Sequence, residues 1–206
     1  MTTITLIDYG LSNIISVQRA FEKLGASVQI VENATALSTA QRLVLPGVSA
    51  FGSGMSELAS RGLIDPLREH IRKGNPFLGI CLGMQLLFDS SEEHATARGL
   101  CALPGRVRHL GGLGDTSAKI PNVGWETLAP VVPHPILDGV LTSESFYFVH
   151  SYVGVPERPA DVIANARFGS KEFPAIVGFG KTVGCQFHPE KSGWTGLKVL
   201  SNFLKL

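Results

Sequence analysis

Cys81 stands between two glycines in the run Gly79, Ile80, Cys81, Leu82, Gly83, the thiol counterpart of the Gly-x-Ser-x-Gly turn that presents a nucleophile. The apolar run Phe77 to Ile80 before it suits a strand buried on both faces. Leu82, Met84, Gln85, Leu86, Leu87 and Phe88 after it suit a helix. The spacing therefore predicts Cys81 at a tight strand-to-helix turn, where neighbours without a Cβ let backbone pass close by. At a helix N-terminus the dipole and the free N–H groups favour thiolate over thiol, and the same N–H groups could hold an oxyanion. The competing reading is that Cys81 is a small buried hydrophobe, the usual fate of a free cysteine.

A thiol nucleophile needs a base. Among six histidines, His188 is the strongest candidate, because a strand pattern ends there, Pro189 turns the chain and Glu190 follows two residues later. A carboxylate so placed can hold the imidazole tautomer while the other ring nitrogen faces a thiol. A purely structural His188 stays open on spacing alone. Metal binding is the weaker reading: the histidines are scattered and Cys81 has no second ligand at zinc-type spacing.

Positioning these groups falls to an alternation of strands and helices. Thr3 to Ile7 reads as a strand, Ile14, Val17, Phe21 and Leu24 as one face of a helix that Asn13 or Ser12 caps and Gly25 ends, and Ser27 to Val31 and Arg42 to Leu45 as two further strands. Such alternation implies a parallel sheet with helices on its faces. A glycine-rich loop, Pro46 to Gly54, precedes an amphipathic stretch, Met55 to Leu63. Loops at the carboxyl ends of adjacent strands meet at the ligand crevice, so an N–H near Gly47 or Val48 could join that of Leu82 as a second oxyanion donor. Pro66 to Lys73 reads as a helix ended by Gly74. The polar run Ser90 to His94 reads as a solvated helix end, and Gly105 to Leu128 has poor periodicity with a turn at Gly111 to Gly114. Ser145 to Val153 reads as one strand, Ala175 to Phe179 and Thr182 to Phe187 as a hairpin about Gly180 and Lys181, and Thr195 to Leu206 as a closing helix. The expected fold is α/β, an open, mostly parallel sheet flanked by helices, with an additional antiparallel portion in the C-terminal half.

The 206 residues suffice for one sizeable core, so residues 1–206 are expected to form a single domain. A net charge of +1 gives no electrostatic reason for nucleic acid or an anionic membrane as partner. Three cysteines without framework spacing fit a reducing compartment. The N-terminus lacks a basic, then apolar, leader pattern, and no segment approaches the ~18 apolar residues of a membrane span. A cytoplasmic protein is expected.

Taken together, LIDYG near the start, LPGVSAFG from Leu45, GICLGMQLLF from Gly79, KIPNVGW from Lys119, FYFVHSYV from Phe146 and QFHPEKS from Gln186 resemble the class I, or triad, glutamine amidotransferases, and within them the branch serving histidine biosynthesis. The motifs span essentially the whole chain. The resemblance implies Cys81 as nucleophile on the side-chain amide of glutamine, His188 as general base and acid, and Glu190 as its orienting partner. It implies backbone oxyanion donors at Val48 and Leu82, and a glutamine pocket from Gly47, Ser49, Gln85, Glu93, Ser151 and Tyr152. It also implies a heterodimer with a (β/α)₈ cyclase subunit that uses the ammonia to make imidazole glycerol phosphate, with Asn122 and Trp125 facing that partner. No metal or organic cofactor is implied. The chain departs from the family pattern at Ser49 and Ser12, where Gly is usual, at Asn122, where His is usual, and at Glu126, where Asn is usual. None of these touches the triad.

Overall fold

The computed structural model describes residues 2–37, 39–93, 97–113 and 118–206; His94 and Gly114, singled out above within a polar run and a turn, lie outside them. The N-terminal half follows the expected alternation: β1 (Thr3–Ile7), α1 (Ile14–Lys23), β2 (Ser27–Val31), β3 (Leu43–Gly47), α2 (Phe51–Ser60), α3 (Ile64–Arg72), β4 (Phe77–Cys81) and the single turn α4 (Leu82–Gln85). Strands dominate thereafter: β5 (Phe88–Ser91), β6 (Leu103–His109), β7 (Asn122–Thr127), β8 (Ala129–Pro130), β9 (Ser145–His150), β10 (Tyr152–Pro156), β11 (Val162–Phe168), β12 (Lys171–Phe179) and β13 (Thr182–Cys185), closed by α5 (Gly193–Phe203).

An eight-stranded sheet in the order β2-β1-β3-β4-β13-β12-β11-β8 organises the molecule. Pairing is parallel from β2 through β13 and antiparallel from β13 to β8, so the expected mixed sheet is found. Side chains leave each strand alternately, so the inner strands feed two cores. Ile4, Leu6, Val44, Leu78 and Ile80 pack with Val17 and Phe21 of α1 and Leu200 and Phe203 of α5. Ile7, Leu43, Leu45 and Phe77 pack with Met55, Leu58, Leu67 and Ile71 of α2 and α3 and with Leu82 and Met84. The Phe21 and Phe203 rings meet edge to face, 6.3 Å between centroids, and lock α1 to α5.

Four differences from the sequence expectation have clear causes. The helix after Cys81 stops at Gln85, because the carbonyls of Leu86 and Leu87 accept bonds from Leu100, Ala102 and Leu103 instead of continuing a helix. The next residues form β5, so Ser90 and Ser91 belong to a strand and not to a helix end. Helix α2 starts at Phe51, earlier than Met55, and Gly54 lies inside it, where a Cβ would press on Leu82 and Leu86. The stretch Ser145 to Val153 breaks at Ser151: β9 pairs with β7, whereas β10 pairs with β6.

The hairpin holds in the expected register, with Phe179 opposite Thr182 and Gly180 at φ 55°. At the central turn, a Cβ on Gly83 would strike the Leu45 carbonyl and one on Gly79 the Gly83 carbonyl. Gly124 has open space instead. Gly83→Ala should therefore cost about 2–4 kcal/mol through forced backbone movement, and Gly124→Ala less than about 0.5 kcal/mol, read as urea midpoints on the purified proteins.

Candidate active site

Cys81 closes β4 with φ 53° and ψ −106°, a conformation that L side chains rarely adopt. Only Cys101 shares a positive φ among the described non-glycine residues. Strain of this kind, on the order of 1–3 kcal/mol, persists where surrounding structure over-determines it. Here β3 and β13 flank β4 on both sides, in register from Phe77 to Ile80. The turn points the sulfur into a pocket of about 270 Å³ lined by Val48, Ser49, Leu82, Gln85, Glu93, Val149, His150, Ser151, Tyr152 and His188. Leu82 opens α4, where its N–H has no intrahelical acceptor.

His188 lies in the same pocket, and its Nδ1 is 2.8 Å from Glu190 Oε1. Both side chains are 2% exposed. Nε2 is the nitrogen left for the thiol; it is buried, and Cys81 is what it faces, with no other partner among the described residues. Burial is the largest influence on the imidazole and opposes its charge. Hydrogen bonding and charge from Cys81 and Glu190 outweigh burial and raise the pKa from 6.5 to about 10. The turn that carries His188 is pinned by its main chain: its N–H donates to the Tyr147 carbonyl at 3.0 Å, and the Ser192 hydroxyl donates to its carbonyl at 2.6 Å while accepting from the Tyr147 N–H at 2.9 Å. Tyr147 and Ser192 were not among the residues expected from sequence, since Tyr147 acts through its main chain and the Ser192 hydroxyl serves only main-chain groups.

The other two cysteines are in different states. Cys185 is wholly buried, and burial, then the charges of Glu190 and Cys81, push its thiol well above its ordinary value; such a thiol is inert. Cys101 is exposed, away from the pocket, with its Sγ 3.5 Å from the Gly99 carbonyl.

The remaining expected residues divide. Gln85 donates from Nε2 to the Tyr152 carbonyl and to Gln186 Oε1, both at 3.0 Å. Glu93 Oε2 accepts from the Phe51 N–H at 2.7 Å and so caps α2, whose N-cap Ala50 has no side-chain acceptor. Ser49, Ser151 and Tyr152 line the pocket. Gly47 does not: it is buried opposite Cys81 in the sheet, where a Cβ would meet the Tyr9 hydroxyl and Leu82. Val48 lines the pocket, but its N–H donates to the Leu11 carbonyl at 2.9 Å. Asn122 is a second correction. It is 7% exposed, with Nδ2 3.2 Å from His150 Nε2, while Val123 and Trp125 on the opposite face of β7 are more than half exposed. His150 was also missed. Burial lowers its pKa from 6.5 to about 4, against the pull of the Tyr152 carbonyl that its Nδ1 meets at 2.9 Å.

Among the described residues, no three His, Cys, Asp or Glu side chains are grouped as metal ligands would be. A strained thiol at a helix start, beside a buried His–Glu pair, can do acyl-transfer chemistry on a small amide or ester.

The sequence profile of the family "Glutamine amidotransferase class-I" matches residues 5–206. The chain belongs to this family. Among its relatives, the imidazole glycerol phosphate synthase subunit HisH of Syntrophotalea carbinolica is 44% identical over 203 residues, covering 97% of this chain and 98% of the relative. The HisH subunit of Desulfitobacterium hafniense is also 44% identical, over 202 residues, covering 98% and 93%. The amidotransferase fold is matched by the PurLQS structure from Thermotoga maritima, at TM-score 0.75, 21% identity and coverage of 100% and 99%. A crystal structure of a glutamine amidotransferase matches at TM-score 0.72, 20% identity and coverage of 98% and 97%.

The two histidines give this amidotransferase opposite responses to pH. The raised pKa of His188 makes its charge stabilising in full below pH 6.5 and lost as pH rises through about 10. The loss of stability in His188→Gln should therefore shrink between pH 6.5 and 10. The lowered pKa of His150 leaves stability intact above pH 6.5 and drains it as pH falls toward 4, by at most about 3 kcal/mol. His150→Gln should lose less stability than the parent over that acid range. Urea unfolding across a pH series checks both signs.

Proposed function

We propose that this amidotransferase hydrolyses L-glutamine to glutamate and ammonia through a thioester on Cys81, and passes the ammonia to the cyclase subunit of an imidazole glycerol phosphate synthase. The observation that carries this reading is the buried His188–Glu190 pair at 2.8 Å beside a cysteine held at φ 53°. The near-complete span of its likeness to HisH subunits supports the pathway. Residues 1–206 act in this reading as one glutamine amidotransferase domain in a heterodimer. The exposed Val48, Val123 and Trp125 at the pocket's side are the surface offered to the cyclase. Three cysteines without a disulfide fit the reducing cytoplasm; among the described residues no helix is long and apolar enough to cross a membrane.

In this mechanism Cys81 Sγ attacks the carboxamide carbon of glutamine, and the carbonyl oxygen takes the negative charge beside the Leu82 N–H. His188 Nε2 carries the proton and delivers it to the departing nitrogen, so ammonia leaves and a thioester remains. Water, deprotonated by His188, attacks the thioester; collapse returns the sulfur and releases glutamate. Glu190 holds Nδ1–H throughout, which keeps Nε2 toward the sulfur. Gln85, Glu93, Ser49 and the main chain at Ser151 and Tyr152 surround the amino-acid part of the substrate.

One donor of the oxyanion site is diverted, because the Val48 N–H is held by Leu11. A missing donor costs on the order of 100- to 1000-fold in turnover. The chain alone should therefore hydrolyse glutamine at least about 100-fold more slowly than the chain with its cyclase, measured as glutamate release. Cys81→Ala should abolish hydrolysis in the complex while still co-purifying with the cyclase. Hydrolysis by Cys81→Ala at the parent rate would rule the mechanism out.

A further inference from the structure

Gln186 is fully buried two residues before His188, just beyond β13. Its Nε2 lies 3.6 Å from Cys81 Sγ, and its Oε1 accepts from Gln85 Nε2 at 3.0 Å. Gln85 Nε2 donates at the same time to the Tyr152 carbonyl at 3.0 Å. Those bonds settle which end of each carboxamide points where. A main-chain carbonyl can only accept, so Gln85 must turn its NH₂ toward Tyr152. That NH₂ also faces Gln186, which must answer with its oxygen. The NH₂ of Gln186 is left against the sulfur. A backbone carbonyl on β10 thus sets the polarity of a relay that ends on Cys81.

We propose that Gln186 is a hydrogen-bond donor to Cys81 Sγ that holds the sulfur in its attacking position and favours its thiolate, with Gln85 as the positioning residue that orients Gln186. The proposal rests on the reading of Cys81 as nucleophile and goes beyond the triad. A thiol sulfur is a weak acceptor and a thiolate a strong one, so a donor aimed at sulfur selects the charged form. Gln186 cannot exchange this acceptor for water, because it has no exposed surface. The same N–H acts in both halves of the reaction: it steadies the attacking thiolate before the C–S bond forms, and receives the thiolate again as that bond breaks in thioester hydrolysis.

The test compares Gln186→Met, similar in size and without a donor, with Gln186→Glu, which keeps an acceptor toward Gln85 but sets a carboxylate oxygen against the sulfur. Both are measured in the cyclase complex as kcat and KM for glutamine, and without glutamine as the alkylation rate of Cys81 by iodoacetamide at neutral pH. A lost charge-assisted bond is worth about 10- to 100-fold, so both rates should fall by that factor while KM changes less than about threefold. Gln186→Glu should fall at least as far as Gln186→Met. Gln85→Met should slow alkylation too, although no substrate is present. Parent-like alkylation and kcat in either folded Gln186 variant would overturn the proposal. Should neither variant fold, the side-chain NH₂ resonances of Gln186 in the parent protein decide: they shift when Cys81 is alkylated if the bond exists, and an unmoved pair overturns it. Hydrolysis surviving in Cys81→Ala would instead sink the nucleophile assignment, and the glutamine-free alkylation rate keeps the two failures distinct.

Discussion

The turn at Cys81 forces a residue with a Cβ to φ 53°, and the surroundings are arranged to make that tolerable. Gly79 and Gly83 leave room for one main chain to lie on another, with the Leu45 carbonyl against Gly83. Fully buried parallel neighbours, β3 and β13, hold β4 on both edges. Relaxing the turn would require moving backbone in the middle of the sheet, between two cores that close over its faces. Close-packed interiors resist such movement, so the strain stays where the chemistry needs a sulfur at the pocket wall and a free N–H.

Around that fixed point the polar groups are layered. Glu190 steadies His188, Tyr147 and Ser192 hold the main chain of the same turn, and the Gln85–Gln186 pair reaches the sulfur. Glu93 reaches back from the segment after β5 to close the N-terminus of α2, which joins the Val48 loop to the pocket wall. Few of these groups can be moved alone. Buried polar networks of this sort lose more than one bond's worth when a member is removed.

Much of this was legible in the sequence where the chemistry is local. The cysteine between glycines, the His-Pro-Glu turn and the two-residue hairpin at Gly180 each carry their geometry within a few residues, and the strand–helix alternation up to Gly74 carried the parallel sheet. Legibility failed where partners are distant. Leu86 to Phe88 have a helical apolar period, yet their carbonyls are taken by residues 100–103. The continuous β-like run from Ser145 to Val153 gives no hint that Ser151 divides two sheets. Asn122 was expected at a partner surface, but the strand alternation turns it inward to His150 and leaves Trp125 outside. Val48 illustrates a different limit: sequence places its peptide near the sulfur, but the direction of its N–H depends on the Leu11 carbonyl.

Strand β13, which completes the centre of the sheet beside β4, comes last in chain order among the described strands. A ribosome therefore finishes the nucleophile's strand long before it makes the neighbour that covers its edge and carries the base. Until then the growing chain holds an ordinary thiol on an open, wholly apolar edge, which is prone to pair with other strands. Reactivity and protection of that edge arrive together with β13 and the His188 turn, so a growing chain still short of them is sticky before it is active.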